Sequence, residues 1–168
     1  GHPSLEVIAA SMLAVRATLR REFNGFERRL RTLARSDTRA RLLMSTPGVG
    51  TIVALTYAAA IDDPSRFKSS KTVGAHFGLT PSRYQSGETD RSGRISKTGD
   101  GSVRAALYES AHIILTKPIK GCTNLKSWAM RIARRAGLNK AKVALARKLA
   151  VIMHRMLADG TTFTTQPA

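Results

Sequence analysis

Apolar residues recur from Leu5 to Leu33 in steps of three and four: Leu5, Ile8, Met12, Val15, Leu19, Phe23, Phe26, Leu30 and Leu33. This spacing holds them on one stripe of an α-helix and excludes a strand, whose side chains alternate with period two. It is a heptad seam with a four-residue stutter near Phe23, flanked by Arg and Glu on the other faces. Two readings fit it: an arm that associates with another helix, and an ordinary amphipathic helix packed on its own domain. Asn24-Gly25 is a place where the helix is expected to break. We expect a helical, coiled-coil-like arm over residues 1–41, with Gly1-His2-Pro3 read as a tag remnant and the chain as a fragment.

Beyond the arm, charge constrains the function. The chain has 28 Lys+Arg against 11 Asp+Glu, a formal charge of +17. Residues 105–168 alone carry eleven basic and two acidic side chains. Such a field gathers polyanions, so nucleic acid is the expected partner. A membrane surface is the rival, but the basic segments are interrupted by Gly137 and Gly160 and lack the aromatic anchors of an interfacial helix. An apolar fraction of 42% excludes a disordered basic tail. The 168 residues suffice for one domain with a modest core. A single cysteine, Cys122, and the absence of a leader pattern fit a cytoplasmic setting.

The domain expected over residues 42–160 opens with Leu42 to Leu55, a stretch similar to a helix-hairpin-helix. In that reading Gly48 and Gly50 free the turn, Val49 plugs the helix crossing and Ala54 permits close approach. Gly48, Val49, Gly50 and Thr51 then present backbone N–H groups to a phosphate. A plain glycine turn between two core helices fits the same residues. The second helix is expected to end near Asp62-Asp63-Pro64, a stop signal rather than a metal site, because adjacent acids point apart and no third ligand lies nearby. His2, His76, His112 and His154 lack ligand spacing, so no metal is expected on this chain.

Phe67 to Gly78 reads as a short helix with Val73, Phe77 and Leu79 inward. Thr80 to Asp100 is polar, glycine-hinged and long for a connector, which marks a functional loop. Within it Ser86-Gly87 lies in sequence among Arg83, Arg91, Arg94 and Lys97. Three amphipathic helices follow: Ser102 to Thr116, Thr123 to Ala136 and Asn139 to Ala158. Arg104, Arg131, Arg134, Arg135, Lys142 and Arg147 are the candidate phosphate contacts on them. Few Asn or Gln accompany these bases, so readout of base sequence looks poor. Residues 161–168 are expected to be a flexible tail.

Thr46-Pro47-Gly48-Val49-Gly50, Phe67, Gly78-Leu79-Thr80-Pro81, Ser86-Gly87, Arg94-Ile95-Ser96-Lys97-Thr98-Gly99-Asp100 and Val103-Arg104-Ala105-Ala106-Leu107 occur in that order. Together, over about Leu42 to Leu157, they resemble the C-terminal domain of the DEDD-type insertion-sequence transposases, the family that includes the Piv-type DNA invertases. The resemblance implies a nucleophilic serine that forms a phosphoserine link to DNA; by motif position it falls on Ser86, with Ser96 and Ser82 as rivals. It further implies a separate acidic domain that holds magnesium, so that no cofactor is expected on this chain and the chain alone is inactive. Double-stranded DNA, a structured guide RNA and further copies of the chain, as dimer or tetramer, are the implied partners. The fold expected is mainly α: arm, then a compact helical domain with a helix-hairpin-helix and a partly extended polar loop.

Overall fold

The computed structural model describes residues 2–86 and 89–164. Helix α1, Pro3–Ser36, is continuous over 34 residues. Pro3 and Glu6 suit its first turn and Arg35 its last, where they complement the helix dipole. It does not break at Asn24-Gly25: one glycine costs only about 1 kcal/mol in a helix interior, and the helix formers around it carry the helix through. Asp37 ends the helix and begins the next. Its N–H donates to the Leu33 carbonyl at 3.0 Å, while its carboxylate accepts from Ala40 N–H at 3.0 Å and caps α2, Thr38–Met44.

Only Ala34 of α1 is buried, and the helix packs on α2 and on α3, Thr51–Ile61. Its seam is otherwise uncovered by the described residues, so α1 is not an amphipathic helix laid along its own domain. The compact body begins at α2, since Ala40 and Leu43 are both fully buried.

Phe67 to Gly78 is not one helix. Two 3₁₀ turns, Pro64–Arg66 and Ser70–Thr72, lead into a single α-turn, α4, Val73–His76. The Ser69 hydroxyl accepts from Lys71 N–H at 3.3 Å, and the Thr72 hydroxyl donates to the Ser69 carbonyl at 2.7 Å. These local bonds compete with a regular helix. Val73, Phe77 and Leu79 are nonetheless core residues.

The polar segment after Leu79 forms an antiparallel hairpin of β1, Pro81–Ser86, and β2, Thr89–Ile95, with a bulge between Pro81 and Arg83. Helices α5 (Gly101–Thr116), α6 (Thr123–Ala136) and α7 (Leu138–Asp159) complete the chain. Asp100 caps α5 through Ser102 and Val103 N–H. Helix α7 packs along both α5 and α6, with Leu145, Leu149 and Met153 fully buried. Tyr57 crosses from α3 to donate its hydroxyl to the Ala150 carbonyl, and its ring meets Phe77 at 5.7 Å. Burial pushes that phenol well above its ordinary range, so it stays a neutral donor.

The tail is docked at its start. Gly160 takes the left-handed conformation, Thr161 N–H returns to the Met156 carbonyl, and Phe163 packs on the core while its N–H donates to Ser45 Oγ at 2.8 Å. Residues 165–168 of the expected tail lie outside the described residues.

Candidate nucleic-acid interface and serine hairpin

The base of the hairpin is joined to the helical body by backbone contact. Gly78 and Gly99 both have positive φ, 63° and 74°. A Cβ on Gly78 would run into the Thr98 backbone and come within 2.7 Å of the Lys97 carbonyl carbon; one on Gly99 would strike the His76 carbonyl oxygen. Only glycine fits at either position. Ser96 N–H donates to the Thr80 carbonyl at 2.9 Å and Lys97 N–H to that of Gly78 at 3.1 Å, while Lys97 itself takes φ of +57°.

Arg104, a candidate phosphate contact by sequence, is engaged inward. Its Nη1 lies 2.9 Å from the Thr98 carbonyl oxygen and 3.1 Å from that of Phe77, with those of Gly99 and Asp100 at 3.3 and 3.4 Å. The side chain ties α5 to the end of α4 and to the segment leaving β2. The sequence gives no sign of this role, because it depends on the approach of Gly99 to residue 76.

Strand register sorts the candidate residues of the hairpin. Ser86 pairs with Thr89 and is exposed; Tyr84 pairs with Arg91 and Arg83 with Ser92. Alternation along the strands therefore sets Arg91 on the face of Ser86 and Arg83 on the opposite face. Arg94 lies five residues from Thr89 along β2, about 15 Å from Ser86, and Lys97 lies beyond it at the base. Neighbours in sequence are thus separated: of these four cations only Arg91 shares both the face and the neighbourhood of Ser86. Gly87 lies outside the described residues. The rival serines belong to the base. Ser82 Oγ donates to the Arg94 carbonyl at 3.0 Å, and Ser96 Oγ accepts from the Thr98 hydroxyl at 2.9 Å.

The turn between α2 and α3 divides its residues similarly. Gly48, φ 82°, faces Ile114, whose Cγ1 would lie 2.7 Å from an added Cβ, and Val49 is buried. Both serve packing. Gly50 does not need glycine's freedom: its φ is −94°, and an added Cβ would meet open space. Gly50 is exposed, Thr51 half-buried, and the N-terminus of α3 carries no side-chain cap.

On the helices, Arg131, Arg134, Arg135 and Arg147 are exposed. The Arg147 stem crosses Gly74, where a Cβ would lie 2.9 Å from its Cγ. The Lys142 ammonium lies over the Tyr108 ring at 5.6 Å and that of Lys148 over Trp128 at 4.3 Å, so each cation has an aromatic platform.

The acids do other work. Asp63 accepts from the N–H and hydroxyl of Ser65, both at 2.9 Å, and these bonds hold its carboxyl below the usual range. His154 joins α7 to the 3₁₀ turns, with Nδ1 2.9 Å from Ser70 Oγ and Nε2 3.2 Å from the Pro64 carbonyl; sequence reading gave it no role. Burial lowers its pKa. Among the described residues no three His, Cys, Asp or Glu lie together as a group that could hold a metal ion, and no helix is long and apolar enough to cross a membrane.

Residues 40–123 match the model of the transposase IS116/IS110/IS902 family. The chain is 33% identical over 139 residues to the transposase for insertion sequence element IS1111A of Coxiella burnetii, covering 82% of this chain and 38% of that protein. It is 33% identical over 138 residues to the transposase for IS1328 of Yersinia enterocolitica, covering 82% and 41%. A pilin gene-inverting protein of Moraxella bovis is 28% identical over 127 residues, covering 74% and 38%. The chain thus spans about two-fifths of the length of these relatives.

Proposed function

From the premise that the chain belongs to the IS116/IS110/IS902 transposase family, we propose that it is the DNA-binding, serine-bearing portion of a transposase or site-specific recombinase. One observation carries the reading. The exposed Ser86 stands at the far end of a hairpin, with Arg91 on its face, and the hairpin's base is fixed to a basic helical body.

In this mechanism the Ser86 hydroxyl attacks a DNA phosphorus. A bond from serine oxygen to phosphorus forms, the bond to a deoxyribose oxygen breaks, and the serine proton ends on the departing hydroxyl. The phosphoserine ester keeps the bond energy for rejoining. Arg91 neutralises the charge that grows on the phosphoryl oxygens. The α3 first turn, in a helix-hairpin-helix, and Arg131, Arg134, Arg135 and Lys142 hold the backbone of duplex DNA or of a structured guide RNA. The magnesium ions of the full enzyme belong to an acidic DEDD domain outside this chain, and the α1 seam serves as an association arm for a homo-oligomer.

The test places this chain in a full-length family transposase and traps protein–DNA adducts. We expect a phosphoserine link that Ser86→Ala abolishes and Ser82→Ala and Ser96→Ala retain. An adduct surviving Ser86→Ala refutes the assignment. A non-enzymatic helix-hairpin-helix module is the second reading, favoured by the uncapped α3 turn; it predicts salt-dependent binding with no adduct.

A further inference from the structure

Between the start of α6, the last turns of α7 and the chain after Gly160 lies an open cavity of about 750 Å³, within the roughly 300–1,000 Å³ of small-molecule sites. Leu125, Ile152, Met156 and the half-buried Phe163 give it an apolar lining. The side formed by the chain after Gly160 is held in place, since Thr161 N–H donates to the Met156 carbonyl at 3.1 Å and Phe163 N–H to Ser45 Oγ at 2.8 Å.

Two cations, Lys148 and Arg155, also line the cavity. Asp159 is the one acid among the described lining residues, and its carboxylate accepts from Arg155 Nε at 3.3 Å, so the balance is positive. Lys140, Lys148 and Arg155 follow at steps of eight and seven and so share one side of α7, over about 22 Å. This stripe begins beside the Gly137 turn, where Arg134 and Arg135 close α6, and ends at the cavity.

A phosphodiester strand held along the stripe presents its next nucleotide to the cavity. The apolar lining and the Phe163 ring suit the face of a base, and Thr123 and Thr162 add hydroxyl-bearing side chains for its edge. An acyl chain would leave those hydroxyls unmatched, and inorganic phosphate would leave the apolar lining bare. A paired base is kept out, because its partner and stacked neighbours hold it in the duplex. We propose that this cavity takes one unpaired nucleotide of the DNA or RNA strand held along α7. This rests on the nucleic-acid-binding reading above and adds a site for a single base.

The probes are short duplexes with one unpaired 2-aminopurine nucleotide at the centre, and the same duplexes with an abasic residue in its place, each made as DNA and as RNA. Fluorescence anisotropy over a salt series reads affinity, and 2-aminopurine emission reads the surroundings of the base. We expect the base-bearing probe to bind about tenfold more tightly than the abasic one, the scale of one base–aromatic contact, with a change in emission on binding. A preference confined to the DNA pair or to the RNA pair names the strand that supplies the nucleotide. Phe163→Ala should bring the ratio close to one. Ile152→Trp, which fills the cavity and leaves Phe163 in place, should do the same with helical circular dichroism kept. Lys148→Ala should weaken base-bearing and abasic probes alike and lower the log–log slope by about 0.9. Equal affinity for base-bearing and abasic probes, in both DNA and RNA, overturns the proposal, as does a preference that survives both Phe163→Ala and Ile152→Trp. Failure to bind any probe at low salt overturns the nucleic-acid-binding reading together with it, whereas equal, salt-dependent binding of all four leaves that reading standing.

Discussion

Arg104→Ala separates holding the hairpin from holding nucleic acid. Nη1 carries two hydrogens, so two of the four carbonyls take good bonds: Thr98 at 2.9 Å and Phe77 at 3.1 Å. Charge-assisted bonds contribute about 1.5–3 kcal/mol each when desolvated, and the half-buried setting of Arg104 puts them nearer 1 kcal/mol each. The loss is then about 2 kcal/mol, or a fall in Tm of roughly 4–8 °C for a chain of this size. Arg104→Lys keeps the charge without the guanidinium's geometry and should recover about half. Differential scanning fluorimetry reads the stability, and DNA affinity over a salt series reads the phosphate contacts. Removing one phosphate contact lowers the log–log slope by about 0.9. We expect an unchanged slope beside a lowered Tm in Arg104→Ala. An unchanged Tm with a slope reduced by about 0.9 would refute the clamp and return Arg104 to the nucleic-acid surface.

Other outcomes follow from local geometry. Gly48→Ala should cost about 2–3 kcal/mol in urea denaturation, from its positive φ and from Ile114 in the path of the new Cβ. Gly50→Ala should leave stability within about 0.5 kcal/mol, and a loss of DNA affinity in that variant would place a phosphate against the residue. Gly25→Ala should raise the stability of α1 by about 1 kcal/mol, read as reduced amide exchange around residue 25, since its Cβ meets open space. His154 binds its proton less readily in the folded state than in the unfolded one. Above about pH 6.5 both states are neutral there, and stability is lost as pH falls from that value through the depressed native pKa. His154→Gln should remove that part of the pH dependence of urea denaturation midpoints, and a curve parallel to wild type would contradict it.

Much of the helical layout was legible because it depends on periodicity and stops. The Thr123–Ala136 helix and the end of α5 before Pro118 appear where spacing and proline place them. Asn24-Gly25 misled because a turn-prone pair carries weight only where no long helix spans it. The segment from Phe67 to Gly78 was misread because Ser69 and Thr72 bond to nearby backbone. The hairpin was legible as a polar, partly extended stretch but not as two strands: Gly87, Gly93 and Gly99 look alike in sequence. For the same reason Arg94 and Lys97 appeared beside Ser86, when strand extension carries them to the other end. The Arg104 clamp and the His154 bridge depend on partners 27 and 84 residues away, which no local pattern encodes.

A rod held at one end converts small rotations into long travel. Helix α1 is about 50 Å long, and among the described residues it packs chiefly on α2 and α3. A tilt of about 5° at Ala34 would carry Leu5 through roughly 4 Å. The joint is Asp37, whose amide closes α1 and whose carboxylate opens α2. The stiffness of that joint, braced by the packing of α1 on α2 and α3, therefore determines how faithfully a position fixed at the far end of the arm is transmitted to the hairpin.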